Sequence, residues 1–182
     1  MDRKLELRDK ALEYFLDNGM AELSLRPLGE QIGSSARLLV YHFGSKDGLI
    51  EAVMDEVRLR VQTSFVELMA QAGKSRILKT FWAWATAAEN SRYVRLLFEV
   101  QVLALQNPAM YGRYVERSAS SWIAIIENVF PPSANRRAIA TLCAAVVDGL
   151  MLEFLSSGDL KQTGAALNLF ASMLQDKLRA PV

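Results

Sequence analysis

The side chains best suited to specific recognition lie between Ser24 and Lys46. Arg37 can donate two hydrogen bonds to the O6 and N7 atoms of a guanine, which is worth about 1–3 kcal/mol of base discrimination. The same guanidinium can instead hold a backbone phosphate, and phosphate contacts are the commoner kind. Both alternatives predict contact with nucleic acid.

The sequence contains few residues that are suited to catalysis. His42 is the only histidine and lies inside the same segment, so Cys143, the only cysteine, has no other histidine to activate it. Cys143 also lies in the apolar run ATLCAAVV, which predicts a buried and inert thiol. The sequence contains no metal-ligand cluster and no glycine-rich phosphate loop. We therefore expect a protein that is not an enzyme and that needs no cofactor or metal.

Two glycines four residues apart indicate the elements that position Arg37. Gly29 falls in the first of two short helices, where the second must cross closely. Gly33 falls between the two, where a tight turn needs positive φ. Ser24 can cap the first helix, and either Ser34 or Ser35 can cap the second. This spacing predicts a helix-turn-helix, although the same glycines also fit an ordinary αα-hairpin.

The residues after the turn favour the helix-turn-helix. Tyr41, His42 and Phe43 end the second short helix, and GSKDGLI begins a long one. With the IGSS turn and a first helix ended by Gly19, the first 50 or so residues resemble the N-terminal domain of the TetR family of transcriptional regulators. That resemblance implies DNA binding, dimerisation through a C-terminal four-helix bundle and a pocket for a small effector.

By the same resemblance, Tyr41 and His42 match aromatic positions that face DNA, and Lys46 matches a lysine that approaches phosphate. Two positions depart from the usual family pattern. Arg37 replaces a small residue, and Val40 replaces a tyrosine that touches phosphate, so no phosphate contact is assigned to Val40. The predicted DNA-binding residues are Ser24, Arg26, Ser35, Ala36, Arg37, Leu38, Tyr41, His42 and Lys46.

The composition of the 182 residues, 51% hydrophobic and 23% charged, is ordinary for a globular protein. No apolar run reaches the roughly 18 residues needed to span a bilayer, and the charged N-terminus does not resemble a signal sequence. We expect a cytoplasmic protein without membrane association. Residues 1–46 carry seven Lys and Arg against seven Asp and Glu, so DNA binding requires the acidic side chains to point away from DNA.

Apolar spacings of three and four residues recur throughout the chain, while strand-like alternation is nearly absent. The sequence therefore predicts an all-α fold of about nine helices, the first over about 5–18. The predicted domains are a helix-turn-helix domain at 1–46 and a helical effector-binding and dimerisation domain at 47–182. From the fourth helix onward, the predicted helices cover about 45–71, 76–89, 93–105, 109–129, 135–156 and 159–178.

The last two helices carry apolar residues on more than one face, which exceeds what a surface helix of a monomer needs. Paired about a two-fold axis, they would form a four-helix bundle, and two-fold symmetry suits an inverted repeat of DNA half-sites. A monomer with a thick core is the alternative. The predicted dimer-interface residues are Val146, Gly149, Leu150, Leu169, Phe170 and Met173.

All three tryptophans lie between residues 76 and 130, and aromatic walls with few polar groups are typical of small-molecule sites. Aromatic residues at helical spacing also form solid core, so that alternative stays open. Glu99 lies in an apolar run and needs an arginine or a ligand as partner if it is buried. The predicted effector-pocket residues are Phe81, Trp82, Trp84, Phe98, Glu99, Trp122, Ile126, Val147 and Met151.

These features together predict a homodimeric, TetR-like transcriptional repressor that leaves an inverted-repeat operator when a small, largely apolar effector binds. The expected partners are double-stranded DNA, a second copy of the chain and an unidentified small molecule. The alternative is a helical ligand-binding or adaptor protein that has lost specific DNA binding. The neutral N-terminal segment and Val40 suggest that alternative.

Overall fold

The computed structural model describes residues 2–73 and 76–179, and those residues form helices without a strand. The predicted all-α class is therefore confirmed for the described part of the chain. Its nine helices are α1 (Arg3–Asn18), α2 (Leu25–Gln31), α3 (Ala36–Phe43), α4 (Lys46–Ala72), α5 (Ile77–Thr86), α6 (Ala88–Gln106), α7 (Pro108–Glu127), α8 (Arg136–Ser157) and α9 (Leu160–Arg179).

Most predicted helix boundaries lie within a few residues of the observed ones, and the start of α6 is the exception. The predicted start at residue 93 lies inside the helix, which begins directly after Ala87. The extended backbone of Ala87 (ψ 142°) separates α5 from α6, and Asn90 donates from Nδ2 to the carbonyl of Trp84 at 2.9 Å. Because alanine is a good helix former, the residue type at this break carries no signal.

The chain divides into two compact units. The first contains the residues up to Gln62 together with Arg92–Ser118, and the second contains Thr63–Ser91 together with the residues from Ala119 onward. Three helices, α4, α6 and α7, belong partly to each unit along their lengths. The functional division predicted at residue 46 is a different kind of boundary and stays a prediction.

The first unit buries one face of α1 behind the helix-turn-helix. Leu7, Leu12 and Phe15 are fully buried on that face, and α1 packs on α3, where Leu39 is also fully buried. Asp2 caps the start of α1 by accepting from the amide of Lys4 at 2.9 Å. α3 is therefore anchored on its inner side.

In the second unit, α5, α8 and α9 pack against one another. Cys143 of α8 is buried, as predicted, and burial raises the pKa of its thiol to about 11. The thiol is therefore protonated and unreactive near neutral pH. A separate apolar cluster joins α4, α5 and the segment just after α7 through the buried Phe65, Ile77 and Val129.

The expectation that no segment is long and apolar enough to span a bilayer is wrong for α8. Among the described residues, it is the helix that meets both requirements by length and composition. Much of its apolar surface is not buried within its own chain, because Leu142 and Leu152 remain 54% and 53% exposed. The expectation failed because it counted unbroken apolar runs, and α8 interrupts its apolar residues with few charges.

Candidate nucleic-acid interface

The segment that begins at Ser24 forms the predicted pair of short helices, α2 and α3. Gly33 (φ +68°) turns the chain between them. A Cβ atom on Gly29 would lie 3.0 Å from the amide nitrogen of Ala36, so the two helices cross too closely for a larger residue there. Both glycines have the structural roles that their spacing predicted, and the segment is a helix-turn-helix.

Serine hydroxyls cap the starts of α3 and α4. Ser35 accepts from the amide of Leu38 at 3.2 Å, and Ser45 accepts from the amide of Gly48 at 3.0 Å. Of the two serines considered for α3, Ser35 is therefore the cap. The capping prediction for Ser24 is wrong, because Ser24 occupies the N-cap position of α2 but its exposed hydroxyl makes no capping hydrogen bond.

α3 exposes two long polar side chains on the side away from its buried leucine. Leu39 is fully buried, whereas Arg37 and Tyr41, one turn apart, are exposed. Tyr41 retains 80% of its exposure, and the ring of His42 meets the Tyr41 ring edge-on at 5.1 Å. α3 can therefore offer a guanidinium and a phenol to base edges in a major groove.

Val40 belongs to the same exposed surface, although the sequence reasoning assigned it no contact. Its side chain is 42% exposed, and an apolar side chain at such a position suits contact with the C5-methyl group of thymine. Its position between Arg37 and Tyr41, next to the apolar Leu39, was the available signal. Of the other predicted contacts, Ser24, Arg26, Ser35 and Lys46 are exposed, and Ala36, Leu38 and His42 are half-buried.

Two cations of this segment are free to bind an anion. Neither Arg37 nor Lys46 has a hydrogen-bond or ion-pair partner for its side chain within residues 2–73 and 76–179. Arg26 instead pairs with Glu30, one turn further along α2, at 3.2 Å. Because both members of that pair are highly exposed, the pair is weak and a phosphate can displace Glu30.

Two acidic side chains of α1, Glu6 and Asp17, are paired within the first unit. Glu6 accepts hydrogen bonds from Lys10 and Arg3, which lower the pKa of its carboxyl, and Asp17 pairs with Arg92 of α6 at 2.8 Å. Glu30 shares one side of α2 with Arg26, which counts against the expectation that the acidic groups point away from DNA. For the other acidic residues that expectation stays a prediction.

The nine predicted effector-pocket residues fall into both units. Phe98 and Glu99 belong to the first unit, where Glu99 accepts from the amide of Met20 at 2.6 Å and pairs with Arg95 at 3.3 Å. The carboxylate of Glu99 is therefore committed to partners within the chain, which argues against its contact with an effector. The other seven residues belong to the second unit: Phe81, Trp82, Trp84, Trp122, Ile126, Val147 and Met151.

Four aromatic rings cluster in the second unit. Phe81 stacks on Trp84 with ring centroids 5.6 Å apart, while Phe65 meets Phe81 and Trp122 edge-on at 5.1 and 5.7 Å. Phe81, Trp84 and Trp122 are only half-buried. Trp82 is 7% exposed, and its indole N–H has no hydrogen-bond partner in the described part of the chain. A buried donor of this kind favours a nearby acceptor.

A cavity of about 340 Å³ lies in the first unit, where the sequence predicted none. The loop after α1, the start of α4 and the α6–α7 corner line this open cavity, and Lys46, Asp47 and Tyr111 are among its polar residues. Burial and the hydrogen bond that Tyr111 donates to Asp47 raise the pKa of the phenol. The nine predicted effector residues do not line this cavity.

Metal chemistry has no candidate centre in the described ranges. No group of three His, Cys, Asp or Glu side chains there is placed to hold a metal ion.

The second unit also exposes an apolar surface, hereafter the α8–α9 face. On α8, Leu142 and Leu152 are exposed with Gly149 between them, and on α9 Leu169 and Met173 are 64% and 62% exposed. Residues 142, 145, 149 and 152 are spaced alternately by three and four, which is typical of a seam between packed helices.

The α8–α9 face differs in part from the predicted dimer interface. Gly149, Leu169 and Met173 lie on it. Leu142 and Leu152 were missed because α8 is apolar on several sides, although their spacing was visible in the sequence. The remaining predicted residues, Val146, Leu150 and Phe170, are half-buried within the unit.

Comparisons with known proteins agree with the helix-turn-helix geometry. The family model described as bacterial regulatory proteins, tetR family, matches residues 7–53. The HTH-type transcriptional regulator BetI of Paraburkholderia phytofirmans is 30% identical over 178 residues, which cover 92% of this chain and 89% of the relative. The HTH-type nicotine-responsive transcriptional repressor HdnoR of Paenarthrobacter nicotinovorans is 22% identical over 168 residues, which cover 86% and 85% of the two chains.

A solved structure shares the fold across the whole chain. The multidrug binding protein EbrR complexed with imidazole matches with a TM-score of 0.74 at 20% identity, over 100% of this chain and 98% of the other. The same protein complexed with proflavin matches with a TM-score of 0.65 at 19% identity, over 92% and 97%. At these identities the similarity concerns the fold alone.

Proposed function

Because this chain belongs to the TetR family of helix-turn-helix transcriptional regulators, we propose that it acts in the cytoplasm as a homodimeric repressor of an inverted-repeat operator. A small, largely apolar effector releases it from the operator. The observation that carries this proposal is the exposed face of α3, where Arg37 and Tyr41 have no role in the core.

Each copy reads one half-site through α3. Arg37 donates to a guanine edge, Val40 contacts a thymine methyl group, and Tyr41 lies beside them. Lys46 and Arg26 bind backbone phosphates and fix the register of the protein on the duplex. The unpaired state of Arg37 and Lys46 supports these roles, because neither side chain must break an ion pair to reach DNA.

The second copy covers the α8–α9 face. Exposed leucine and methionine side chains on two adjacent helices are unfavourable in water and favour a permanent partner. A second copy presents the same face about a two-fold axis, which forms a four-helix bundle from two α8–α9 pairs. The same pairing buries the apolar surface of α8 without a membrane.

The effector binds at the aromatic cluster of the second unit. The half-buried rings of Phe81, Trp84 and Trp122 suit a flat apolar compound. The N–H of Trp82, whose ring meets Phe154 edge-on, suits an acceptor atom on a compound that extends to it. The nicotine-responsive relative and the EbrR complexes support a compound of this kind. Release of DNA requires the effector to bind the free state more tightly than the DNA-bound state.

Selection of binding sites from random DNA with the full-length chain tests the proposed function. We expect enrichment of an inverted repeat with a guanine at one position of each half-site, and binding that weakens steeply as salt rises. Enrichment of no inverted repeat would reject the proposal. Weak binding without sequence preference at low salt would instead favour the adaptor alternative.

Proflavin binding to the protein alone tests the effector site, since DNA itself binds planar dyes. We expect proflavin to quench tryptophan emission, and Trp82→Phe, which keeps an aromatic ring but removes the N–H, to weaken binding about tenfold. Trp122→Phe is the comparison, because it makes the same change of ring at a half-buried residue whose N–H is not a buried group without a partner, and it should weaken binding less. Equal weakening by both variants would contradict the assigned role of Trp82.

A further inference from the structure

α1 ends without some of the partners that a helix C-terminus needs. The last carbonyl groups of any helix lack hydrogen-bond donors within it, and the last turn of α1 contains no basic residue. Gly19 donates its own N–H to the carbonyl of Phe15 at 2.8 Å. The carbonyl of Leu16 and the amide of Met20, on either side of this turn, are satisfied from elsewhere in the first unit.

Three residues on successive turns of α6, hereafter the α6 clamp, supply these partners: Arg92, Arg95 and Glu99. Arg92 and Arg95 both donate to the carbonyl of Leu16, at 3.4 and 2.8 Å. Glu99 accepts from the amide of Met20 at 2.6 Å. The two guanidinium groups also place positive charge at the negative end of the α1 dipole.

The clamp fits closely around the end of α1. A Cβ atom on Gly19 would lie 3.0 Å from both carboxylate oxygens of Glu99, and the φ of Gly19 is +74°. The ion pair between Arg95 and Glu99, at 3.3 Å, orients the carboxylate toward the turn. Hydrogen bonds with charged members are about twice as strong as neutral ones, so the clamp holds this turn firmly.

The held turn leads directly into the helix-turn-helix. Met20 and Leu23, which lie between α1 and α2, are 2% and 6% exposed, and α1 also packs on α3. Fixing the end of α1 therefore fixes α2 and α3 with respect to the clamped part of α6. α6 itself begins at Ala88, and its first residues belong to the second unit.

We propose that Glu99, with Arg92 and Arg95, is a positioning residue that determines which half-site spacing the dimer accepts. The inference rests on the proposed function. In a dimer, each reading helix can be only as precisely placed as its attachment to the rest of its chain. A helix-turn-helix held by the α6 clamp fits one spacing between half-sites, whereas a helix-turn-helix that is held loosely fits several spacings.

Inverted repeats built from one half-site, with the spacing changed one base pair at a time, test this proposal. We expect the wild-type chain to prefer one spacing and Glu99→Ala to lose about tenfold of that preference, roughly the factor attributable to one charge-assisted hydrogen bond. The base preference within each half-site should stay that of the wild type. Glu99→Gln keeps the side-chain size and one acceptor oxygen, and should fall between the two.

Gln101→Ala is the matched control, since Gln101 is exposed on the same helix two residues away. Its spacing preference should equal that of the wild type. An unchanged spacing preference in Glu99→Ala would overturn the proposal even if its melting temperature fell, because a merely structural contact changes stability alone.

Amide hydrogen exchange tests the clamp without DNA. We expect the Met20 amide to exchange slowly in the wild type and about tenfold faster in Glu99→Gln. Fast exchange in the wild type would overturn the clamp itself. Slow exchange of the Met20 amide would confirm the contact with Glu99. If the selection from random DNA then enriched no inverted repeat, both the proposed function and the role of this contact in half-site spacing would be rejected.

Discussion

α3 and the α8–α9 face both expose side chains that the fold itself does not use, but their chemistry differs. α3 exposes Arg37 and Tyr41, whose polar groups form hydrogen bonds with water until a partner displaces that water. The α8–α9 face exposes Leu142 and Leu169, which water cannot satisfy. Polar exposure of this kind favours a reversible and selective partner, whereas apolar exposure favours a permanent one. The two surfaces therefore indicate different partners, DNA for the first and a second copy for the second.

The largest expected effect comes from a charge on the apolar surface. Leu169→Glu should convert the dimer to a monomer, because two buried carboxylates would face the partner without cations. Operator affinity should then fall about 100-fold or more, since two linked half-sites bind far more tightly than one. Sedimentation and operator titration measure the two effects. Leu105→Glu changes a leucine that is 85% exposed on α6, and it should leave both unchanged.

A smaller and more local effect is expected on α3. Arg37→Ala should lose roughly 1–3 kcal/mol of discrimination at one base position of each half-site and leave the other positions unchanged. Competition among operators with single base changes measures this loss. A uniform loss across all sequences would identify Arg37 as a phosphate contact instead.

Lys46→Ala should lower the affinity for DNA without changing the preference for particular bases, which is the opposite of the effect expected for Arg37→Ala. Loss of one phosphate contact should weaken all sequences about equally and reduce the slope of log affinity against log salt by about 1. Titrations of one specific and one unrelated duplex over a range of salt measure both quantities. A change confined to the specific duplex would mean that the roles of Lys46 and Arg37 are reversed.

The smallest expected effect concerns Asp148, which lies beside Gly149 on α8. Asp148 is exposed at the surface of its chain, and desolvation by the protein around it raises the pKa of its carboxyl to about 6. An unfolded aspartate has a pKa near 3.9, so the folded chain holds the proton more tightly. The stability contributed by protonated Asp148 is therefore intact below about pH 4 and is lost as pH rises through about 6.

Asp148→Asn removes this dependence while keeping the side-chain shape. At about pH 8 the variant should melt slightly above the wild type, by less than about 2 °C, and the difference should vanish near pH 4. Thermal melts of both proteins across this range measure it. A variant that melts below the wild type at high pH would show that the carboxylate is stabilised by a partner.

How much the sequence predicted depends on the range of the interaction concerned. The roles of Gly29 and Gly33 follow from local geometry, and both were predicted. One partner of Glu99, the amide of Met20, lies in the loop after α1 and far away in the sequence, so the position of Glu99 in an apolar run suggested a pocket instead. On α8, composition revealed that more than one face is apolar, but only packing decides that Leu142 faces outward.

The most direct test of the central claim is the number of chains on one operator. Native mass spectrometry of the full-length protein with a selected inverted repeat should detect two copies per duplex, and a duplex with a single half-site should bind far more weakly. One copy per inverted repeat, or equal affinity for the single half-site, would contradict reading by a dimer.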